Sequence, residues 1–272
     1  METLDTKKLI PFLKWAGGKR WLVEKHSNFL NDSYDRFIEP FLGSGAVYFS
    51  LQPAAALLCD KNEQLIETYS AIKENWPTVV KHLKLHHRLH CKEYYYLQRS
   101  KKMRTPETRA AQFIYLNRTC WNGLYRVNLE GKFNVPIGTK QNVILETDDF
   151  KATAKLLVGA ELVCGDFEKV ISRAGANDFV FVDPPYTVKH NYNGFIKYNE
   201  SIFSWDDQVR LRDSVKAASS RGAKVLVTNA CHESIRDIYE DIGELIVLDR
   251  ASVIAGKSAA RGRYEEMVIK CF

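Results

Sequence analysis

Short apolar runs alternate with amphipathic stretches over the first seventy residues of the chain. Residues 34–41 (YDRFIEPF) read as a strand stopped by Pro40, and 54–60 (AAALLCD) as a second strand ending in an acid. Between them, 43–51 is a glycine turn running into a helix. Residues 61–75 carry Leu65, Ile66, Tyr69 and Ile72 on one side, which is the helical period. From about 76 to 150 the alternation stops. Residues 76–100 and 105–120 read as helices, the second with Thr105 as N-cap and Pro106 at N1. Residues 121–138 carry turn signals at Asn-Gly and Glu-Gly and predict a hairpin. Strand–helix alternation resumes after 150. Strands are predicted at 160–166, 178–185, 223–230, 244–250 and 265–272, with a helix over 204–222 capped by Ser204 and Gly222. A basic, glycine-containing loop over 255–263 is expected to be mobile. The simplest architecture is an α/β fold interrupted by a helical insertion.

Composition changes this picture little, and charge changes it more. The 272 residues are 45% hydrophobic and 26% charged, enough to bury a core and stay in solution. Net charge is +6, but Lys81–Arg109 alone holds nine basic residues against two acidic ones, net +7. A polyanion would feel that segment first, although a solvated helical face has the same composition. Six cysteines without a CxxC pair read as reduced thiols in a cytoplasmic protein. The N-terminal stretch shows no signal-peptide pattern, and no apolar run is long enough to span a bilayer. His82, His86, His87, His90 and Cys91 include i,i+4 spacings, but no complete ligand set accompanies them, so no metal is expected. The tyrosines at 94–96 read as packing, and His232-Glu233 as a helix start.

Three constellations carry chemistry. In FIEPFLGSGAVYFSL…LLCD, a strand, a glycine turn and a helix precede a strand ending in Asp60, 17 positions after Gly43. An acid there bonds ribose hydroxyls in doubly wound sheets. GSG lacks the third glycine of GxGxxG, which favours a single nucleoside over a dinucleotide. In FLKWAGGKR (12–20) the phosphate-loop spacing is missing, which disfavours an NTPase. A turn with a cation aimed at a carboxylate is the other reading. In FVFVDPPYTV (179–188) an apolar strand ends in Asp183-Pro184-Pro185-Tyr186. Asp183 and the Pro184 carbonyl can accept the hydrogens of an exocyclic amine and localise its lone pair, while Tyr186 stacks on a planar base.

LKWAGGK, EPFLGSG, NGLYRVN, GKFNVPIG and DPPY occur here in the order of the Dam-type DNA adenine-N6 methyltransferases, and the chain resembles that family over roughly residues 10–272. DPPY alone is shared by many amino-methyltransferases, whereas FNVP and NGLxRxN are more specific. The resemblance implies a Rossmann-like methyltransferase sheet in which residues 1–69 and 151–272 form the catalytic domain. Residues 70–150 would form a mostly helical target-recognition domain with its hairpin. It implies S-adenosylmethionine as methyl donor, S-adenosylhomocysteine as product, no metal, and a monomer acting on double-stranded DNA away from membranes. Trp15, Ala16, Gly17 and Lys19 would surround the methionine end of the cofactor, with Phe41, Gly43 and Gly45 along its backbone. Asp60 would hold the ribose, and Asp166 and Phe167 the adenine. Asp183 would lie between cofactor and substrate. The target adenine would flip into the pocket formed by Asp183, Pro184, Pro185 and Tyr186, and its N6 would take the methyl group.

For DNA, the resemblance implies that Arg126 reads a guanine in the major groove, while Trp121 and Leu124 fill the gap left by the flipped base. Lys14, Asn122, Asn134 and Pro136 also match positions that touch DNA. Lys101, Lys102 and Arg104 would meet phosphates only. Thr139-Lys140 departs from the family pattern in the recognition hairpin, so GATC is the expected target with its outer bases the open part. An RNA methyltransferase and a catalytically silent DNA-binding regulator are the rivals. The first is disfavoured because A-form RNA hides its major groove, the second by the intact DPPY and cofactor loops.

Overall fold

The structure is a computed structural model that describes residues 9–128, 131–188, 203–251 and 263–272. It is α/β, as the apolar pattern predicts. The elements run α1 (Arg20–Lys25), β1 (Arg36–Glu39), α2 (Ala46–Leu51), β2 (Ala56–Asp60), α3 (Glu63–Leu89), α4 (Lys92–Ser100) and α5 (Pro106–Thr119). They continue with α6 (Phe150–Leu157), β3 (Ala160–Cys164), α7 (Glu168–Ile171), β4 (Asp178–Val182), α8 (Trp205–Ser220), β5 (Lys224–Ala230), α9 (Glu233–Tyr239), β6 (Glu244–Ala251) and β7 (Arg263–Cys271). By packing, the chain divides into two units: the residues up to Asn31 with Leu42–Gly165, and Asp32–Phe41 with Asp166–Phe272.

In the first unit β2 and β3 pair in parallel, with Asp60 opposite Cys164. Helix α3 packs on both α5 and α6. Its apolar face buries Leu65, Ile66, Tyr69 and Ile72, the four residues that the period singles out. The helix breaks at Asn75, whose φ of −150° is non-helical, two residues before Pro77. Proline has no N–H to give and crowds the preceding turn, so the predicted boundary at 75–76 is a kink and not a loop. The single helix predicted over 76–100 is two. His90 and Cys91 leave helical geometry, and the Cys91 thiol caps α4 by accepting from the Tyr94 amide at 3.4 Å. Thr105 caps α5 with Pro106 behind it, as predicted.

In the second unit the strands lie side by side in the order β1-β4-β5-β7-β6. The first three are parallel, and β7 runs antiparallel to both its neighbours. Every residue of β4 is buried, which is why it reads as a continuous apolar run. At its N-terminal end Arg36 forks onto Asp178, with Nε–Oδ1 at 3.0 Å and Nη2–Oδ2 at 2.8 Å. Strand β4 ends at Val182, three residues short of the prediction, because Pro184 and Pro185 cannot donate to a ladder. Helix α8 starts on a reciprocal Ser204–Asp207 capping box and closes with Gly222 at φ +87°, one residue beyond the Arg221 cap. Strand β7 begins two residues before its predicted start. Helices α1, α6 and α7 are too short for their periods to show in the sequence. Most of the 255–263 loop lies outside the described residues.

Candidate active site

In the first unit, the segment before the glycine loop is held from helix α5. The Asn117 amide clamps Lys14, accepting from its N–H at 2.9 Å and donating to its carbonyl at 2.8 Å. Next to it, Arg118 donates twice to the Phe12 carbonyl and pairs with Asp148 through two contacts of 2.6 and 2.7 Å. Both ion-pair partners are buried, so losing either one leaves a charge without compensation. This anchorage presents residues 15–19 as a turn closed by the Gly18 amide on the Trp15 carbonyl at 3.2 Å. Ala16 and Gly17 are exposed on it, and Gly17 sits at φ +79°. Lys19 is only 3% exposed, and its ammonium donates to the Gly17 carbonyl at 2.9 Å. It therefore braces the loop from inside and is not displayed on the surface.

Gly43 and Gly45 take φ values of +48° and +66°. At Gly43 a Cβ would stand 2.8 Å from the Trp15 ring, so glycine is required for space as well as for conformation. The Gly43 amide donates to Asp60 Oδ2 and the Asn62 amide to Oδ1, both at 2.9 Å, while the Tyr69 hydroxyl donates to the Gly43 carbonyl at 3.1 Å. Burial pushes the Asp60 carboxyl above the usual aspartate range, and its backbone donors pull the other way. A carboxylate fixed by backbone donors at the end of β2 is an acceptor of the kind that suits a ribose hydroxyl.

The residues expected to touch DNA lie in the same unit. Two isolated antiparallel bridges, Cys120 with Ile137 and Val127 with Phe133, join the two arms of the predicted hairpin. The turn at its base has Asn122 at φ +55° and Gly123 at φ +66°, fulfilling the Asn-Gly signal. Trp121 is 54% exposed, Leu124 is half-buried, and Pro136 is exposed with its carbonyl on the Trp121 amide at 2.9 Å. Arg126 is exposed, and its Nε donates to Asn134 Oδ1 at 3.1 Å, which joins two predicted DNA contacts into one group. The Lys14 ammonium is pushed below the usual lysine value, first by partial burial and next by Lys140. The Thr139-Lys140 departure thus brings a second cation close to Lys14.

In the second unit, Phe41 and Phe167 stack with centroids 5.5 Å apart and 28° between planes. Phe203 is edge-on to Phe41 and tilted against Phe167, and the Arg210 guanidinium sits 5.0 Å over Phe167. Phe167 is 4% exposed and Phe41 is half-buried, so Phe41 is the more accessible of the two flat surfaces. Asp166 Oδ1 accepts from the Glu168 amide at 3.0 Å and from Arg210 at 3.1 Å. At the carboxyl end of β4, the Thr228 hydroxyl on β5 donates to Asp183 Oδ1 at 2.8 Å. The Tyr186 hydroxyl donates to Glu266 on β7 at 2.8 Å. Pro184 is buried, while Asp183, Pro185 and Tyr186 are half-buried.

A model of the D12 class N6 adenine-specific DNA methyltransferases matches residues 15–254. The chain belongs to that family. A Type II methyltransferase of Lactococcus lactis subsp. cremoris, M1.LlaDCHI, is 36% identical over 96% of this chain and 95% of its own length. The Type II methyltransferase M.MjaIII of Methanocaldococcus jannaschii is 34% identical over 95% of this chain and 98% of its own. The DNA adenine methylase of Escherichia coli strain K12 is 30% identical over 96% and 95%. The methyltransferase class and the Rossmann-like α/β architecture expected from the sequence are therefore correct. Among the described residues, no helix is long and apolar enough to cross a membrane, and no cluster of His, Cys, Asp and Glu suits a metal.

Sequence reasoning missed the residues that position the others. Thr228, Glu266 and Arg210 reach DPPY and Asp166 from 44 to 80 positions away, through strand register and helix packing. Asn117 and Arg118 look like an ordinary helix end. One signal was available: Glu266 is an acid at the start of the apolar run MVI, where the flanking pattern demands burial.

Proposed function

We propose that this member of the family transfers a methyl group from S-adenosylmethionine to N6 of an adenine flipped out of duplex DNA, within GATC. The observation that carries the reading is the DPPY corner at the end of β4, with Asp183 oriented by Thr228 and Tyr186 by Glu266. When bound, the cofactor supplies an electrophilic methyl group. Asp60 would hold its ribose, with Phe41, Asp166 and Phe167 about the adenine and Trp15, Ala16, Gly17, Lys19, Gly43 and Gly45 forming the loop walls. Asp183 and the Pro184 carbonyl would take the N6 hydrogens of the target and draw its nitrogen towards tetrahedral geometry. Thr228 donates to Asp183 Oδ1 and so orients the carboxylate. Tyr186 would stack on the base. Trp121, Asn122, Leu124, Arg126, Asn134 and Pro136 of the 70–150 region, together with Lys14, would form the DNA-reading surface.

The test is transfer of labelled methyl from S-adenosylmethionine to a GATC duplex, beside a GTTC duplex and an RNA duplex. Label is expected on the GATC duplex alone, and Asp183→Ala should reduce it at least about a hundredfold while the protein stays folded. Label on genomic DNA but not on GATC would keep the chemistry and move the target. Substantial turnover by Asp183→Ala would remove Asp183 from the mechanism.

A further inference from the structure

Tyr125 lies between Leu124 and Arg126, and its ring is the hub of an aromatic group. Trp15 stacks on it at 5.3 Å and 21°, Phe113 lies at 5.2 Å and Phe133 at 5.8 Å. Its hydroxyl donates to Gln64 Oε1 at 3.2 Å, in the first turn of α3 just after Asp60. The opposite end of this chain of contacts is the cofactor loop. The Trp15 ring presses on Gly43, whose amide is bonded to Asp60. The Asn117 clamp runs parallel to it, since the same side-chain amide reaches both the Lys14 and Gly123 carbonyls. Phe133 then leads into Asn134, the partner of Arg126. The path from Asp60 through Gly43, Trp15 and Tyr125 to Arg126 is thus one continuous set of contacts within a single packing unit.

We infer that Tyr125 is a positioning residue that couples occupancy of the cofactor loop to the set of the recognition turn. The inference rests on the functional reading above, which supplies the two ligands. A ligand that settles against Gly43 and Trp15 fixes the face on which Tyr125 stacks, and so fixes the backbone that carries Leu124 and Arg126. Coupling of this kind is reciprocal: DNA must tighten the cofactor by the same factor.

The experiment uses the full chain with S-adenosylhomocysteine and a labelled GATC duplex, or the duplex found to be methylated. Duplex affinity is measured without and with saturating S-adenosylhomocysteine, and S-adenosylhomocysteine affinity without and with duplex. Wild-type protein is expected to show mutual tightening of about tenfold, the scale of one aromatic stack. Tyr125→Leu should cut both factors to below about threefold, with S-adenosylhomocysteine affinity in the absence of DNA unchanged. Tyr125→Phe keeps the stack and should keep the coupling. Tyr125→Met takes the place of the leucine variant if that variant does not fold. Full coupling in the leucine or methionine variant, loss in the phenylalanine variant equal to that in leucine, or no coupling in wild type each overturns the inference. Wild-type protein that binds no S-adenosylhomocysteine overturns the functional reading instead.

Discussion

At Tyr186 the hydroxyl is engaged by Glu266, and the ring is the part proposed to meet the base. Burial first, and the nearby Asp183 and Glu266 carboxylates next, raise the phenol well above its ordinary value of 10.0. The hydroxyl therefore stays protonated at neutral pH and donates to Glu266, itself only 4% exposed. If the ring does the work on the substrate, Tyr186→Phe should keep methyl transfer within about tenfold of wild type, and Tyr186→Ala should fall much further. The phenylalanine variant takes one donor away from a buried carboxylate and should cost about 1–3 kcal/mol of stability. Adding Glu266→Gln removes the buried charge, so the double variant should recover part of that loss in denaturant unfolding. A phenylalanine variant as stable as wild type would mean that Glu266 is satisfied without Tyr186. Activity lost equally in the phenylalanine and alanine variants would assign the hydroxyl a direct role.

The α3, α4 and α5 cluster shows what the elements add. His86 is buried, stacks on Tyr115 at 4.8 Å and 15°, and shares a 2.9 Å hydrogen bond with the Tyr94 hydroxyl. Burial, then His82 and Lys101, push its imidazole down to about 4 from an ordinary 6.5. The unfolded chain therefore binds a proton below about pH 6.5 that the folded protein refuses until about pH 4. Stability is present above that window and is lost as pH falls through it, by about 3 kcal/mol in all. His86→Phe keeps the ring and removes the titration, so its unfolding free energy should fall by about 2–3 kcal/mol less than that of wild type between pH 7 and pH 4.5. Parallel curves would show that His86 is not the group responsible. This cluster was legible in the sequence only as packing: helical period marked α3 and α5, but nothing local revealed that Cys91 would cap a new helix. β4 and the DPPY corner were legible because an unbroken apolar run ending in prolines admits few structures. Thr228 and Glu266 were not, since register alone brings β5 and β7 to Asp183 and Tyr186. The Trp15–Tyr125 stack escaped notice for the same reason, being 110 positions apart in sequence.

Across the whole chain, the excess of nine basic over two acidic residues in Lys81–Arg109 does not act as one block. Arg109 forks onto Glu67, with Nη2–Oε1 at 2.5 Å and Nε–Oε2 at 2.8 Å. Arg99 donates to the Asn134 and Val135 carbonyls at 3.4 and 3.1 Å, which braces the backbone that carries Asn134. Lys81, Lys84, Arg88, Lys92, Lys101, Lys102 and Arg104 are exposed. Exposed cations of this kind give salt-dependent binding without sequence preference, because phosphates are the same at every step. Arg126 differs in that its Nε donates to Asn134 Oδ1, which restrains the plane of its guanidinium. The two kinds of contact should therefore separate in measurement. Replacing Lys101, Lys102 and Arg104 together by alanine should weaken GATC and scrambled duplexes equally and lower the slope of log K against log salt by about 0.9 per lost phosphate contact. Arg126→Ala should leave that slope within about one contact of wild type while costing about 1–3 kcal/mol of discrimination at a single guanine. A triple variant that alters discrimination at constant slope would place those three residues at base edges, and an arginine variant that weakens every duplex alike would make Arg126 one more phosphate ligand.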